Sequence, residues 1–102
     1  MRVVREFYSA LGAGDGQRAA EQVVPEKRAE GALSARRMSR FYSSLRRPLR
    51  IITAYPLDER TVFVRYEFVA PGGGVCVGAA NVVTAQRDGQ TLVRGIRALN
   101  GC

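Results

Sequence analysis

Apolar positions recur every three to four residues as far as Leu45 and every second residue from Leu49 onward, so the pattern predicts helices first and strands after. Val3, Val4, Phe7, Tyr8 and Leu11 form one stripe, which predicts an amphipathic helix over residues 2–12 ending in the glycines of "GAGDG". Asp15 stands where an N-cap belongs, and Ala19, Ala20, Val23 and Val24 give a second, short apolar face stopped by Pro25. "PEKRAEGAL" reads as a polar connection. Ser34 caps a third helix, in which Met38, Phe41, Tyr42 and Leu45 fall at i, i+3, i+4 and i+7. Arg36, Arg37, Arg40 and Arg47 fall on the other side, and Pro48 ends the element. The wheel therefore expects Met38, Phe41 and Leu45 in the core and a solvent-facing arginine face.

Four segments then read as strands: "LRIITAY" (49–55), "RTVFVRYEFVA" (60–70), "VCVGAANVVTAQ" (75–86) and "TLVRGIRAL" (91–99). The separators "PLDE", "PGGG" and "RDGQ" are hairpin turns in composition. The second strand alternates most clearly, with Val62, Val64, Tyr66 and Phe68 on one side and Arg65 and Glu67 on the other. Three helices packed on one face of a four-stranded antiparallel meander is an α+β layer fold, formed by residues 1–102 as one domain.

Composition supports a packed domain: 46% of the 102 residues are hydrophobic. No apolar run reaches the roughly 18 residues of a membrane span. The net charge of +7 suggests an anionic partner, but fifteen of the sixteen basic residues are arginine, a usage that GC-rich coding alone produces. A base-stacking aromatic must face the same way as the arginines that hold the phosphates, and the wheel puts Phe41 and Tyr42 on the opposite stripe. That separation argues against nucleic-acid binding. Two cysteines and no histidine do not make a zinc site, and the acids are not spaced as a calcium loop.

The stretch "FYSALGAGDGQRAAEQVV", followed by a basic helix and long antiparallel strands, resembles the nuclear transport factor 2-like (cystatin-like, cone-shaped) superfamily. That superfamily includes ketosteroid isomerase, scytalone dehydratase and polyketide-cyclase-like enzymes. The resemblance implies a curved sheet wrapped around helices with a cone-shaped pocket, a fold that hosts enzymes, binders and scaffolds alike. Isomerases of the superfamily carry an oxyanion-donating tyrosine one turn before the "AL.AGD" motif, where this chain has Phe7. They carry a carboxylate base on an early strand, where this chain has Glu26 and Glu30 in a polar connection. Dehydratase relatives use histidine, which is absent. The resemblance therefore assigns no catalytic residue and no cofactor. Tyr42, Tyr66, Asn81 and Arg94, polar groups in apolar surroundings, are the candidates for lining a ligand pocket.

Three functions follow as expectations. The first is a non-catalytic domain binding a small ligand or a protein, with a homodimer through the open sheet face. The second is a small-molecule enzyme using the cone pocket without histidine. The third is electrostatic binding of nucleic acid or an anionic surface by Arg36, Arg37, Arg40 and Arg47.

The cysteines add an expectation about compartment. With a three-residue turn at Asp88, Gly89 and Gln90, Arg87 faces Thr91 and Cys76 falls opposite Cys102, within reach of a disulfide. A two-residue turn at Asp88 and Gly89 puts Cys76 opposite Gly101 instead. A bridge predicts a periplasmic or secreted protein whose signal segment has been removed, the alternative being a cytoplasmic protein with two unrelated thiols.

Overall fold

The computed structural model describes residues 1–101, and local capping sets the first boundaries. Helix α1 spans Arg2–Gly12 and buries Val3, Val4, Phe7, Tyr8, Ala10 and Leu11, the stripe that its spacing predicts. Gly14 reverses the chain at φ +70°, and Asp15 accepts the Arg18 amide at 3.0 Å to start α2, Gly16–Ala20. Helix α2 is shorter than its apolar pattern suggests. Residues 22–24 leave the helix to pair with the last strand: the Val93 amide donates to the Gln22 carbonyl at 2.6 Å and the Val24 amide to the Val93 carbonyl at 2.9 Å. A short 3₁₀ turn, Pro25–Lys27, opens the connection to α3.

Helix α3 spans Ala35–Ser43, with Ser34 accepting the Arg37 amide at 3.3 Å. It ends earlier than the wheel suggests. The Ser44 hydroxyl donates to the Phe41 carbonyl at 2.7 Å, and the Arg46 amide donates to the Val69 carbonyl at 2.8 Å, drawing the chain into the sheet. Arg47 consequently opens strand β1 and does not extend the helical arginine face. Met38 is buried as expected and Leu45 is half-buried, but Phe41 is 48% exposed, which corrects its expected place in the core. It lies at the margin of the stripe, one helical turn from Arg37.

The strands β1 (Arg47–Pro56), β2 (Thr61–Val69), β3 (Val75–Arg87) and β4 (Gln90–Asn100) pair antiparallel in sequence order as one open sheet. The last hairpin has a two-residue turn, with Asp88 at φ 51° and Gly89 at φ 80° and Arg87 paired with Gln90. The three-residue turn is thereby corrected. Register shifts leave Arg94 and Leu99 as extra residues in β4, so Thr84 meets Val93 while Ala79 meets Asn100.

Alternation divides the sheet. Val62, Val64, Phe68, Cys76, Ala80 and Val82 join the buried core with Phe7, Leu11, Ala19 and Met38 of the three helices. Among the described residues no helix covers the opposite face: Phe63, Val75, Val77 and Val83 lie outside that core cluster. The chain is thus an α+β fold with three helices layered on one side of a four-stranded antiparallel sheet. Among the described residues no helix is long and apolar enough to cross a membrane.

Candidate functional site

Three phenols approach one another between the helices and the sheet. Tyr8 comes from α1, Tyr42 from α3 and Tyr66 from β2. Tyr8 and Tyr66 stack with centroids 6.3 Å apart, and Tyr66 continues the row onto Phe68 at 6.4 Å, the two rings nearly parallel. Phe41 meets Phe68 edge-on at 5.9 Å and Tyr42 edge-on at 4.8 Å. Desolvation and then the neighbouring phenols push the Tyr8 hydroxyl well above the usual phenol range, and burial followed by Tyr66 raises Tyr42. Both stay protonated at neutral pH and can serve only as neutral hydrogen-bonding groups.

Close packing fixes the row. A Cβ added at Gly78, the cross-strand partner of Tyr66, would lie 2.6 Å from the Tyr66 hydroxyl oxygen. The glycine leaves the space that the phenol occupies.

Of the four residues expected to line one pocket, the structure brings Tyr42 and Tyr66 together and places Asn81 and Arg94 elsewhere. Asn81 is three residues from Gly78 along β3, so alternation turns it to the helix-free face, between Phe63 and Arg97. Its Oδ1 is buried without a hydrogen-bond partner among the described residues. Arg94 is an extra residue of the β4 ladder and is exposed. Tyr8, absent from the expected set, belongs with the phenols. In the sequence it reads as one more member of the α1 stripe, because helical spacing does not show that its ring meets Tyr66 of β2.

Two surfaces could receive a partner. Lys27, Glu30, Leu33, Tyr42 and Ile96 line a groove of about 460 Å³ beside the connection to α3. The other surface is the helix-free sheet face. There the central strand β3 presents Val75, Val77, Ala79, Asn81 and Val83 in succession without a single charge. Val75 is 72% exposed and Val77 43%. Beside them Tyr55 stacks on Phe63 at 5.0 Å, with Tyr55 itself exposed. Arg50 reaches Glu67 across the β1–β2 pair, with its Nε 2.7 Å from Oε1, and so neutralises that edge within the chain.

Among the described residues no group of three or more Cys, Asp or Glu side chains is placed to hold a metal ion. No family model and no curated protein matches the chain.

Proposed function

We propose that this chain is a non-catalytic binding domain of the nuclear transport factor 2-like type, its curved sheet forming one wall of the cone, and that it acts through its helix-free sheet face by pairing with a second copy of itself. The observation that carries the reading is the outward row of β3. A sheet covered on one face alternates apolar with polar residues, whereas a strand covered on both faces is apolar throughout. Val75, Val77, Ala79 and Val83 follow the second pattern although, among the described residues, no helix covers them: Val75 and Val77 are exposed, Val83 is half-buried and only Ala79 is buried by its neighbours in the sheet. Exposed apolar continuity of this kind marks an interface.

A second copy is the occupant that the dimensions favour. A twofold pairing needs one patch that complements itself, and an uncharged apolar row meets that condition. The molecule extends 41 × 28 × 18 Å, so its broad side offers the roughly 800 Å² per partner of a standard interface. Sedimentation over a dilution series tests the reading: a monomer–dimer equilibrium is expected, and a monomer at every concentration refutes it. The absence of histidine and the apolar Phe7 in place of a donor phenol support a role without catalysis. A small apolar ligand in the groove at Leu33, Tyr42 and Ile96 is the second reading, favoured by the apolar lining there. Such a ligand would raise the melting temperature without changing the mass.

The proposed Cys76–Cys102 bridge has one end outside the described residues. Its support is that β4 runs beside the start of β3, where a Cβ at Gly101 would crowd the Gly78 backbone, two residues from Cys76. With the bridge goes the proposal of an exported, periplasmic or secreted protein. Mass spectrometry after alkylation of the native, non-reduced protein checks both: no label is expected, and two labelled thiols contradict the bridge.

A further inference from the structure

Residues 31–57 contain six arginines and no acid, and the exposure of Phe41 changes what that segment can do. Arg36, Arg37 and Arg40 of α3 and Arg46 and Arg47 just beyond it are all exposed. Among the described residues the ion pairs use Arg50 and Arg87, so these five guanidinium groups carry uncompensated charge. Arg37 and Phe41 are neighbours at i and i+4, and Arg36 and Arg40 repeat that spacing beside them. Arg46 reaches the uncharged turn between β2 and β3, where its guanidinium lies 3.0 Å from the Cβ position of Gly73. Phe41 is held in place by edge-on contacts with Tyr42 and Phe68, yet 48% of the residue remains open.

We propose that this surface binds single-stranded nucleic acid, with Phe41 as the ring on which a base stacks and the five arginines as phosphate contacts. A fixed aromatic ring beside guanidinium groups is what stacking on a single strand requires. A duplex offers no free base face to that ring. A bilayer would gain little, because the rest of the α3 stripe is turned inward, with Met38 2% exposed, and leaves one aromatic side chain available for insertion.

The test is fluorescence anisotropy with labelled thymidylate and uridylate strands of about twelve nucleotides, within the size range of such sites. A duplex of equal length and vesicles containing phosphatidylserine serve as the comparison partners. Binding of at least one single strand is expected, tighter than duplex or vesicles. Its affinity should fall with salt with a log–log slope of about −3.5, since each of the five phosphates neutralised on a single strand releases counterions worth about −0.7. Phe41→Leu, which keeps the apolar contact and removes the ring, should weaken binding roughly tenfold and leave the slope unchanged. Arg37→Gln should weaken binding and make the slope shallower by about 0.7. Arg65→Gln, on the helix-free sheet face, should alter neither property by as much. Circular dichroism melts confirm that each variant is folded. Absence of single-strand binding at low salt, equal or tighter binding of duplex or vesicles, an unaffected Phe41→Leu variant, or equal losses from Arg37→Gln and Arg65→Gln would overturn the proposal.

Discussion

Gly16 sits where α2 meets α3 with no room for a side chain. A Cβ at that position would collide with the Ala35 carbonyl oxygen and the Ser39 amide, while the Gly16 amide itself donates to the Ser39 hydroxyl at 2.8 Å. Backbone atoms cannot give way as a side-chain tip can, so Gly16→Ala should cost roughly 2–3 kcal/mol in urea denaturation. Met38→Ala should cost about 2–5 kcal/mol, the ordinary price of emptying a buried site. Phe41→Ala, at a half-open site, should cost about 1–2 kcal/mol, short of the 3–5 of a fully buried phenylalanine. Denaturant midpoints for the two variants check that order. At this scale the caps Asp15 and Ser34 were legible, because capping is local chemistry. The exposure of Phe41 was not, because the wheel gives direction around a helix and not how far the neighbouring sheet extends beneath it. Asn81 misled for a related reason: polarity within an apolar run says nothing of which sheet face it takes until the register is known.

Among the elements, the 3₁₀ turn and the last hairpin are joined by one ion pair. Both Arg87 nitrogens, Nη1 and Nη2, lie 2.8 Å from the two Glu26 carboxylate oxygens. The hydrogen bonds from Arg87 hold the Glu26 carboxyl down at about 2, below its ordinary 4.5. The unfolded chain therefore binds a proton that the folded chain refuses between those values. The contribution of the pair is complete above about pH 4.5 and is lost as the pH falls through about 2. Thermal melts across that window should show the wild type losing more stability than Glu26→Gln; equal slopes would contradict the assignment. The strands and their turns were legible from alternation and Gly-rich composition, within one or two residues at most ends. Helix α2 was overextended because Val23 and Val24 have the spacing of a helix while their backbone partners lie on Val93, some seventy residues away. Helix α3 was overextended because the sheet captures Arg46 and Arg47. Non-local hydrogen bonds of this kind leave no local mark. The Cys76–Cys102 pairing meets the same limit, because it needs an unbroken ladder and the extra residues Arg94 and Leu99 each move the pairing by one.

At the scale of the described molecule, the layered α+β arrangement puts the helices on one side and leaves the other without a helix. The proposed interface rests on that asymmetry, because the outward row of β3 is free of charge although Arg65 and Arg97 flank it on the same side. The pattern was present in the sequence as "VCVGAANVV", a run apolar at odd and even positions alike, and it took the placement of the helices to show which half of the run has no partner. Val77 is the place to test it. It lies toward the start of a central strand, paired with Glu67 of β2, and is 43% exposed, so an arginine there costs an isolated chain little, within about 0.5 kcal/mol. Light scattering of Val77→Arg beside the wild type, at a concentration where the wild type has twice the monomer mass, is the decisive measurement. The variant is expected at monomer mass with an unchanged circular dichroism spectrum. A wild type that is monomeric throughout, or a folded Val77→Arg that remains dimeric, would contradict the assignment of the sheet face as the interface.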